Sequence, residues 1–421
     1  MVLPGVGLGA PRETQAEADG FPGAPPAPRL SAPSASPHGV LAETQPRQRR
    51  MGLYVHVPFC TKRCYYCSFN TAPMDGADMA RYLRALAREV DLLADVAWAP
   101  AVEVTSIFFG GGTPSLLEPE DLHAILERVR ARFAVEDDAE ITVECNPESL
   151  GAAKARAYRS AGVTRISLGV QSLDDSILPR LGREHAAVGA RDAFEAARAA
   201  DFPSVSVDLM YGVPGLDLDG WRRAVATVLD WAPDHVSAYG LTLDPGSAWG
   251  ATGVAGLPPE DVVIAQYWAL AEAARTRSYE HYEVSNYARA GFRSRHNQIY
   301  WRAQEYLACG PGACGFVGDL RYANARALPR YCGGPEDGRL PIETSERLTV
   351  RQQLAERLIL GLRTSDGIPR AWLDERVQDD AALARRVRDW EEAGMLAIDA
   401  TTARLTEAGF LVSDALFVEL L

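Results

Sequence analysis

The chain has 421 residues, 47% of them hydrophobic and 24% charged, which suits a globular protein of two or three domains or one large barrel with an addition. Its 43 basic and 56 acidic residues give a formal charge of −13, which argues against a broad polyanion-binding surface and so against nucleic acid as a partner. Three of the seven cysteines fall within eight residues and no apolar run reaches the roughly 18 needed to cross a bilayer, so neither a secreted disulfide framework nor a membrane span is expected, and the chain reads as cytoplasmic and reduced.

Residues 1–48 hold nine of the 27 prolines, in stretches such as FPGAPPAPRLSAPSASPHG, and are predicted to form a disordered tail that buries too little apolar surface to offset its ordering entropy. The first residues lack the basic start and apolar core of a signal peptide, and Met51 is a candidate start of the chain. A βα rhythm follows. LYVHV (53–57) is β-rich, and Met79, Leu83, Leu86, Val90 and Leu93 then mark one face of a helix. VTSIFF (104–109) precedes EPEDLHAILERVRARF, a helix with Pro119 and two acids in its first turn. EITVEC (140–145), TRISLGV (164–170), PSVSVDLMYG (203–212) and DHVSAYGL (234–241) continue the strands, with helical stretches at 185–200 and 218–232. Six strand–helix units predict an α/β fold with a parallel sheet, closed or nearly closed as a barrel over 49–285.

In such folds the site lies beyond the carboxyl ends of the strands. CTKRCYYC (60–67) follows the first strand, GGGTPS (110–115) the second and ECNPES (144–149) the third; GVQSLDD (169–175) and DLMYGVPG (208–215) end the fourth and fifth. The unusual polar and glycine segments therefore converge on one rim. Three thiolates, Cys60, Cys64 and Cys67, suit an iron–sulfur cluster with one open iron; a zinc site completed by a distant residue such as His56 is the alternative.

CxxxCxxC with Tyr66 before its last cysteine, followed by GGTPS, resembles the radical S-adenosylmethionine (SAM) superfamily. The resemblance implies a partial (β/α)6 barrel and a 4Fe–4S cluster on Cys60, Cys64 and Cys67. It also implies SAM on the fourth iron, where one electron yields a 5′-deoxyadenosyl radical. FFGGGTPS, ECNPES, RISLGVQSL, LGREH, DLMYGVPG, YEVSNYA, HNQIYW and YLACGPGA, in order, are similar to the HemN/HemW group. Residues 286–343 would then be a barrel-associated segment carrying HNQIYW, and 344–421 that group's small, mainly helical, winged-helix-like domain. By the same resemblance Tyr54, Tyr66, Gly111, Gly112, Thr113, Glu144, Gln171, Arg183 and Asp208 are the SAM-site residues. Arg183 would offer a fork to the SAM carboxylate, and the glycines would allow close approach of its methionyl end.

Within the group, the dehydrogenase branch carries a further cysteine two positions after the third and a QGYTT segment; here Phe69 stands at that position and QGYTT is absent. HNQIYW (296–301) resembles the HNxxYW signature of the heme-chaperone branch, which implies heme as cargo and a membrane-bound respiratory acceptor as partner. His296 is then a candidate heme ligand, Tyr300 and Trp301 candidates to cover the porphyrin, and Asn297 to bond a propionate or orient the histidine. Ordinary core packing of the same residues is the alternative, and radical decarboxylation of a porphyrinogen is the alternative function. Cys314 stands where the group carries a histidine, which leaves that position's role open; Cys145, Cys309 and Cys332 read as small buried residues.

Overall fold

The computed structural model describes residues 38–420. Six parallel strands stand where the apolar runs predict them: β1 (Arg50–Val57), β2 (Glu103–Gly111), β3 (Ala134–Cys145), β4 (Arg165–Gln171), β5 (Ser204–Tyr211) and β6 (His235–Gly240). They pair in that order. Between them run α1 (Gly76–Ala94), α2 (Pro119–Arg132), α3 (Ala152–Ser160), α4 (Ala187–Ala199) and α5 (Leu218–Asp230). Asp75 caps α1, accepting from Ala77 and Asp78 N–H, and Asp217 caps α5 through Gly220 N–H.

Strand alternation divides the side chains into two sets. Leu53, Val55, Ile107, Phe109, Ile141, Val143, Val205 and Val207 join Leu86, Val90, Leu126 and Trp221 of the helices in one large core. The alternate positions face the barrel interior and are largely polar: Ser106, Thr142, Arg165, Ser167, Ser206, His235 and Ser237, all buried. The interior is therefore hydrogen-bonding rather than aliphatic.

The sheet has twelve strands and stays open, as a partial barrel. Past β6 lie the antiparallel strands β7 (Glu280–Glu283) and β8 (Asn286–Ala288), with β8 on β6. At the other edge β1 pairs in parallel with β9 (Tyr306–Cys309), and β10 (Cys314–Val317), β11 (Leu320–Asn324) and β12 (Ile342–Arg347) extend it antiparallel. The C-terminal part has its own core, with Leu358, Leu362, Leu373, Leu383, Trp390 and Leu405 among its buried residues. It combines five helices, Val350–Leu362, Arg370–Val377, Ala381–Glu392, Glu407–Leu411 and Ser413–Leu420, with a three-stranded antiparallel sheet, the helix-and-wing composition expected.

Residues 38–48, placed by composition in the tail, are built into the barrel. Leu41 is fully buried, Trp98 Nε1 donates to its carbonyl at 3.1 Å, and the Arg47 and Gln48 N–H groups donate to the Glu305 carboxylate. A buried leucine and a set of backbone donors anchor a segment whose overall composition is that of a tail. The rest of the predicted tail, residues 1–37, lies outside the described residues. Met51 sits fully buried inside β1.

Candidate functional site

The cysteine loop leaves the carboxyl end of β1 and is closed at its base by a short parallel pairing of Phe59–Cys60 with Ala72–Pro73. Ala72 N–H donates to Pro58 O at 2.8 Å and Met74 N–H to Cys60 O at 3.0 Å. All three cysteines are free and partly exposed. The Thr113 hydroxyl stands 3.5 Å from Cys60 Sγ, and Arg183 Nη1 3.7 Å from Cys64 Sγ. Burial raises the Cys60 thiol and pushes Cys67 up to about 11, so a metal binding here displaces protons. Among the described residues no three His, Cys, Asp or Glu side chains converge as a single ion requires. A cubane cluster takes one thiolate per iron and needs no such convergence.

The glycine run beside this loop is fixed by packing. A Cβ on Gly112 would lie 2.6 Å from Phe59 O and 2.7 Å from Pro58 O, and one on Gly111, at φ +114°, would meet the His56 ring. The Gly112 and Thr113 N–H groups donate to Val57 O and Phe59 O, both at 2.8 Å. Those two donors hold the cysteine loop onto β2 and are not open to a ligand; the glycines serve first to seat the loop.

Arg183 is buried and spans the rim. Its Nη2 donates to Asn146 Oδ1 at 2.7 Å and Gly169 O at 2.8 Å, while its Nε has no partner. Asn146 in turn donates to the Thr113 hydroxyl at 3.3 Å. Asn146 is a site residue that the sequence reading did not single out, although it stands inside ECNPES. Gln171 adopts φ 64°, a left-handed conformation uncommon for a non-glycine residue, at the end of β4. Tyr54 is buried, with its hydroxyl 3.0 Å from His56 Nδ1, and Tyr66 leans on Trp249 at 6.5 Å. Thr113 and Arg183 therefore stand at the cysteines and Tyr66 within their loop, Gly111, Gly112, Glu144 and Gln171 stand at the carboxyl ends of β2, β3 and β4, and Tyr54 and Asp208 lie further inside β1 and β5.

HNQIYW lies at the opposite end. It forms a short helix, α6 (Arg295–Trp301), across the amino ends of β1, β2 and β3. Ser294 caps it, and the Glu140 carboxylate on β3 accepts from the Arg295 and His296 N–H groups, both at 3.0 Å. His296 is fully buried; its Nδ1 meets the Ser106 hydroxyl and its Nε2 the Tyr300 hydroxyl, each at 2.8 Å, and its ring stacks on Phe108 at 5.1 Å. Trp301 and Asn297 are buried too, and Trp301 Nε1 and Asn297 Oδ1 lack partners. Cys314 is exposed at the start of β10, whereas Cys145, Cys309 and Cys332 are buried as expected.

The radical SAM superfamily model matches residues 54–228, and the HemN C-terminal domain model residues 348–412. The heme chaperone HemW of Bacillus subtilis (strain 168) is 30% identical over 370 residues, covering 86% of this chain and 97% of that protein. The chain belongs to the HemW family of radical SAM proteins. The heme chaperone HemW of Mycobacterium tuberculosis (strain ATCC 25618 / H37Rv) is 36% identical over 378 residues, 88% of this chain and 94% of that protein. The mitochondrial radical S-adenosyl methionine domain-containing protein 1 of Bos taurus is 37% identical over 395 residues, 89% of this chain and 88% of its own. Coproporphyrinogen III oxidase (HemN) from Escherichia coli superposes with a TM-score of 0.79 at 21% identity, over 90% of this chain and 92% of that one, which shows the shared fold.

The rim fits the cluster and SAM that radical SAM membership implies. It offers three soft ligands and a buried guanidinium with an orphaned Nε. It also places Glu144 on β3 and Asp208 on β5, one strand apart and near enough for the charge of Asp208 to act on Glu144. When bound, the pair supplies one-electron chemistry. The HemW-family chain's own part is electrostatic. Burial, with Asp208 nearby, pushes Glu144 up to about 7, opposed by the Gly111 N–H at 3.2 Å and by Arg165. Burial also raises Asp208, opposed by Arg165 and the hydroxyls of Ser237, Ser167 and Ser206. A carboxyl whose proton affinity burial raises can donate as well as accept toward hydroxyl or amino groups of a ligand.

Proposed function

We propose that the chain is a heme chaperone of the HemW type, working in the cytoplasm: it holds heme as cargo beside a SAM-ligated 4Fe–4S cluster and passes it to a membrane-bound respiratory acceptor. Support comes from relatives named heme chaperones that align over almost their whole length. Phe69 stands 42% exposed beside the cysteine loop, where a dehydrogenase-type site would have a further thiol. Among the described residues no helix is long and apolar enough to cross a membrane, so delivery would proceed through a protein surface. Cys60, Cys64 and Cys67 would hold the cluster, and Tyr54, Tyr66, Gly111, Gly112, Thr113, Glu144, Gln171, Arg183 and Asp208 would frame SAM. His296 has neither ring nitrogen free as the helix stands, so ligating heme through it would require release from Ser106 or Tyr300.

The completeness of the rim favours one second reading, a radical dehydrogenase of porphyrinogens. The deciding experiment is an anaerobic heme titration of cluster-loaded protein at the Soret band, run beside coproporphyrinogen III with SAM and a reductant. Saturable one-to-one heme binding without carbon dioxide release supports the chaperone. Decarboxylation without saturable heme binding overturns it.

A further inference from the structure

Helix α6 turns His296 and Tyr300 toward the barrel, and the adjoining face, which begins at Ile299 buried beside His296 over Gly52, is also organised. Arg295, Gln298, Ile299 and Arg302 follow the i, i+3, i+4, i+7 spacing of one helical face. With Gln48, Arg49, Arg50, Thr105 and Gln304 they line a groove of about 620 Å³ at the amino ends of the strands. Four of the nine lining residues are arginines and none is acidic, in a chain of net charge −13. The carboxylates that orient these arginines stand outside the lining: Glu136 takes Arg50 at 2.5 Å and Arg295 at 3.2 Å, Asp138 also takes Arg295 at 3.2 Å, and Asp366 takes Arg302 at 3.4 Å. The Arg49 guanidinium has no side-chain partner among the described residues. A guanidinium held along one edge keeps further N–H donors for a second acceptor, and its planar fork matches a carboxylate.

We propose that this groove binds the carboxylate edge of the porphyrin cargo, with Arg49 and Arg302 as the principal propionate contacts; the inference rests on the chaperone reading. Several features select that ligand. The volume falls within the range of about 300–1,000 Å³ usual for a small-molecule site. The lining has one apolar side chain, Ile299, so it suits a charged edge and not a macrocycle face. Four of its lining residues, Arg295, Gln298, Ile299 and Arg302, come from α6 and its C-terminal cap. The groove is also at the far end of the barrel from the cysteine loop, so cargo and SAM would occupy opposite ends and neither would obstruct the other.

The test is an anaerobic Soret titration of cluster-loaded wild type and the Arg49→Ala/Arg302→Ala double variant with two probes, heme and heme dimethyl ester. Esterification removes the carboxylate charges and keeps the macrocycle and iron. Wild type is expected to bind heme at least ten-fold more tightly than the ester. The variant should lose that preference through weaker heme binding alone, with iron content and SAM affinity unchanged as the check on folding. Equal heme affinity in variant and wild type, or a wild type indifferent to esterification, overturns the groove while leaving the chaperone reading standing. Absence of saturable heme binding to wild type overturns both.

Discussion

Replacing His296 with alanine is the obvious test of a heme ligand, and the structure predicts that its first effect is on stability. The imidazole is fully buried, bridges Ser106 and Tyr300 at 2.8 Å each, and stacks on Phe108. Truncation opens a cavity beneath the helix and strands two hydroxyls in the interior. An unsatisfied buried partner costs about 1–3 kcal/mol, and removing a large buried ring about 3–5 kcal/mol, with the two overlapping in part. A loss of about 3–5 kcal/mol is expected, which at roughly 2 °C per kcal/mol for a large domain lowers the melting temperature on the order of 8 °C. Thermal unfolding followed by tryptophan fluorescence, with no heme present, measures it. His296→Gln, which keeps a donor and an acceptor, should recover part of the loss. A heme-free His296→Ala protein that melts with wild type would refute the bridging role and leave the histidine available as a ligand.

Glu283 is fully buried, and burial pushes its carboxyl up to about 8, above its unfolded value of 4.5. The protonated form is therefore the one that folding favours: its contribution is complete below pH 4.5 and is lost progressively as pH rises from there through 8, by on the order of 5 kcal/mol at most. Glu283→Gln should match wild type in stability at pH 5 and exceed it at pH 8.5; equal stability at both would contradict the shift. If Arg183 clamps the SAM carboxylate, Arg183→Lys should weaken SAM binding by about 1.5–3 kcal/mol in calorimetry, the range for a charged hydrogen bond, and an unchanged affinity removes it from the site. Gly112→Ala drives a methyl against the Pro58 and Phe59 carbonyls and should lower iron loading through displacement of the cysteine loop, whereas full iron content would show that the loop tolerates the shift.

The six strands and their helices were legible because each helix keeps an apolar face and each buried strand a continuous or alternating apolar run. The same alternation held the polar interior in plain view: in TRISLGV and SVSVDLM the inward positions are Arg165, Ser167, Ser206 and Asp208. Helix α6 was not legible as a helix. It is seven residues long, its cap acceptor Glu140 lies 155 residues away in sequence, and its inner contacts come from three strands. Asn146 was hidden for the same reason, since its role is set by Arg183, distant in sequence and adjacent in space. Composition misled at residues 38–48, where buried Leu41, Val40 packed beside it and a few backbone hydrogen bonds hold the segment.

The two ends of the barrel are joined by a chain of hydrogen bonds. Ser206 Oγ donates to Asp208 at 3.5 Å and stands 2.8 Å from His235 Nδ1; His235 Nε2 stands 2.8 Å from the Tyr282 hydroxyl, which accepts from Ser294 N–H at 3.2 Å. Ser294 caps the HNQIYW helix, so a rim carboxylate and the helix terminus share one buried network. Burial keeps His235 neutral, so each ring nitrogen has a single role and a change at one end alters what the other end is offered. Contiguity alone does not establish coupling; a linkage measurement does. If the chain carries coupling, heme changes SAM affinity by some factor and SAM changes heme affinity by the same factor, because binding linkage is reciprocal. His235→Phe, which cuts the chain at its middle, should bring both factors to one while each ligand still binds. Equal coupling in wild type and His235→Phe would show that the chain only holds the barrel in shape.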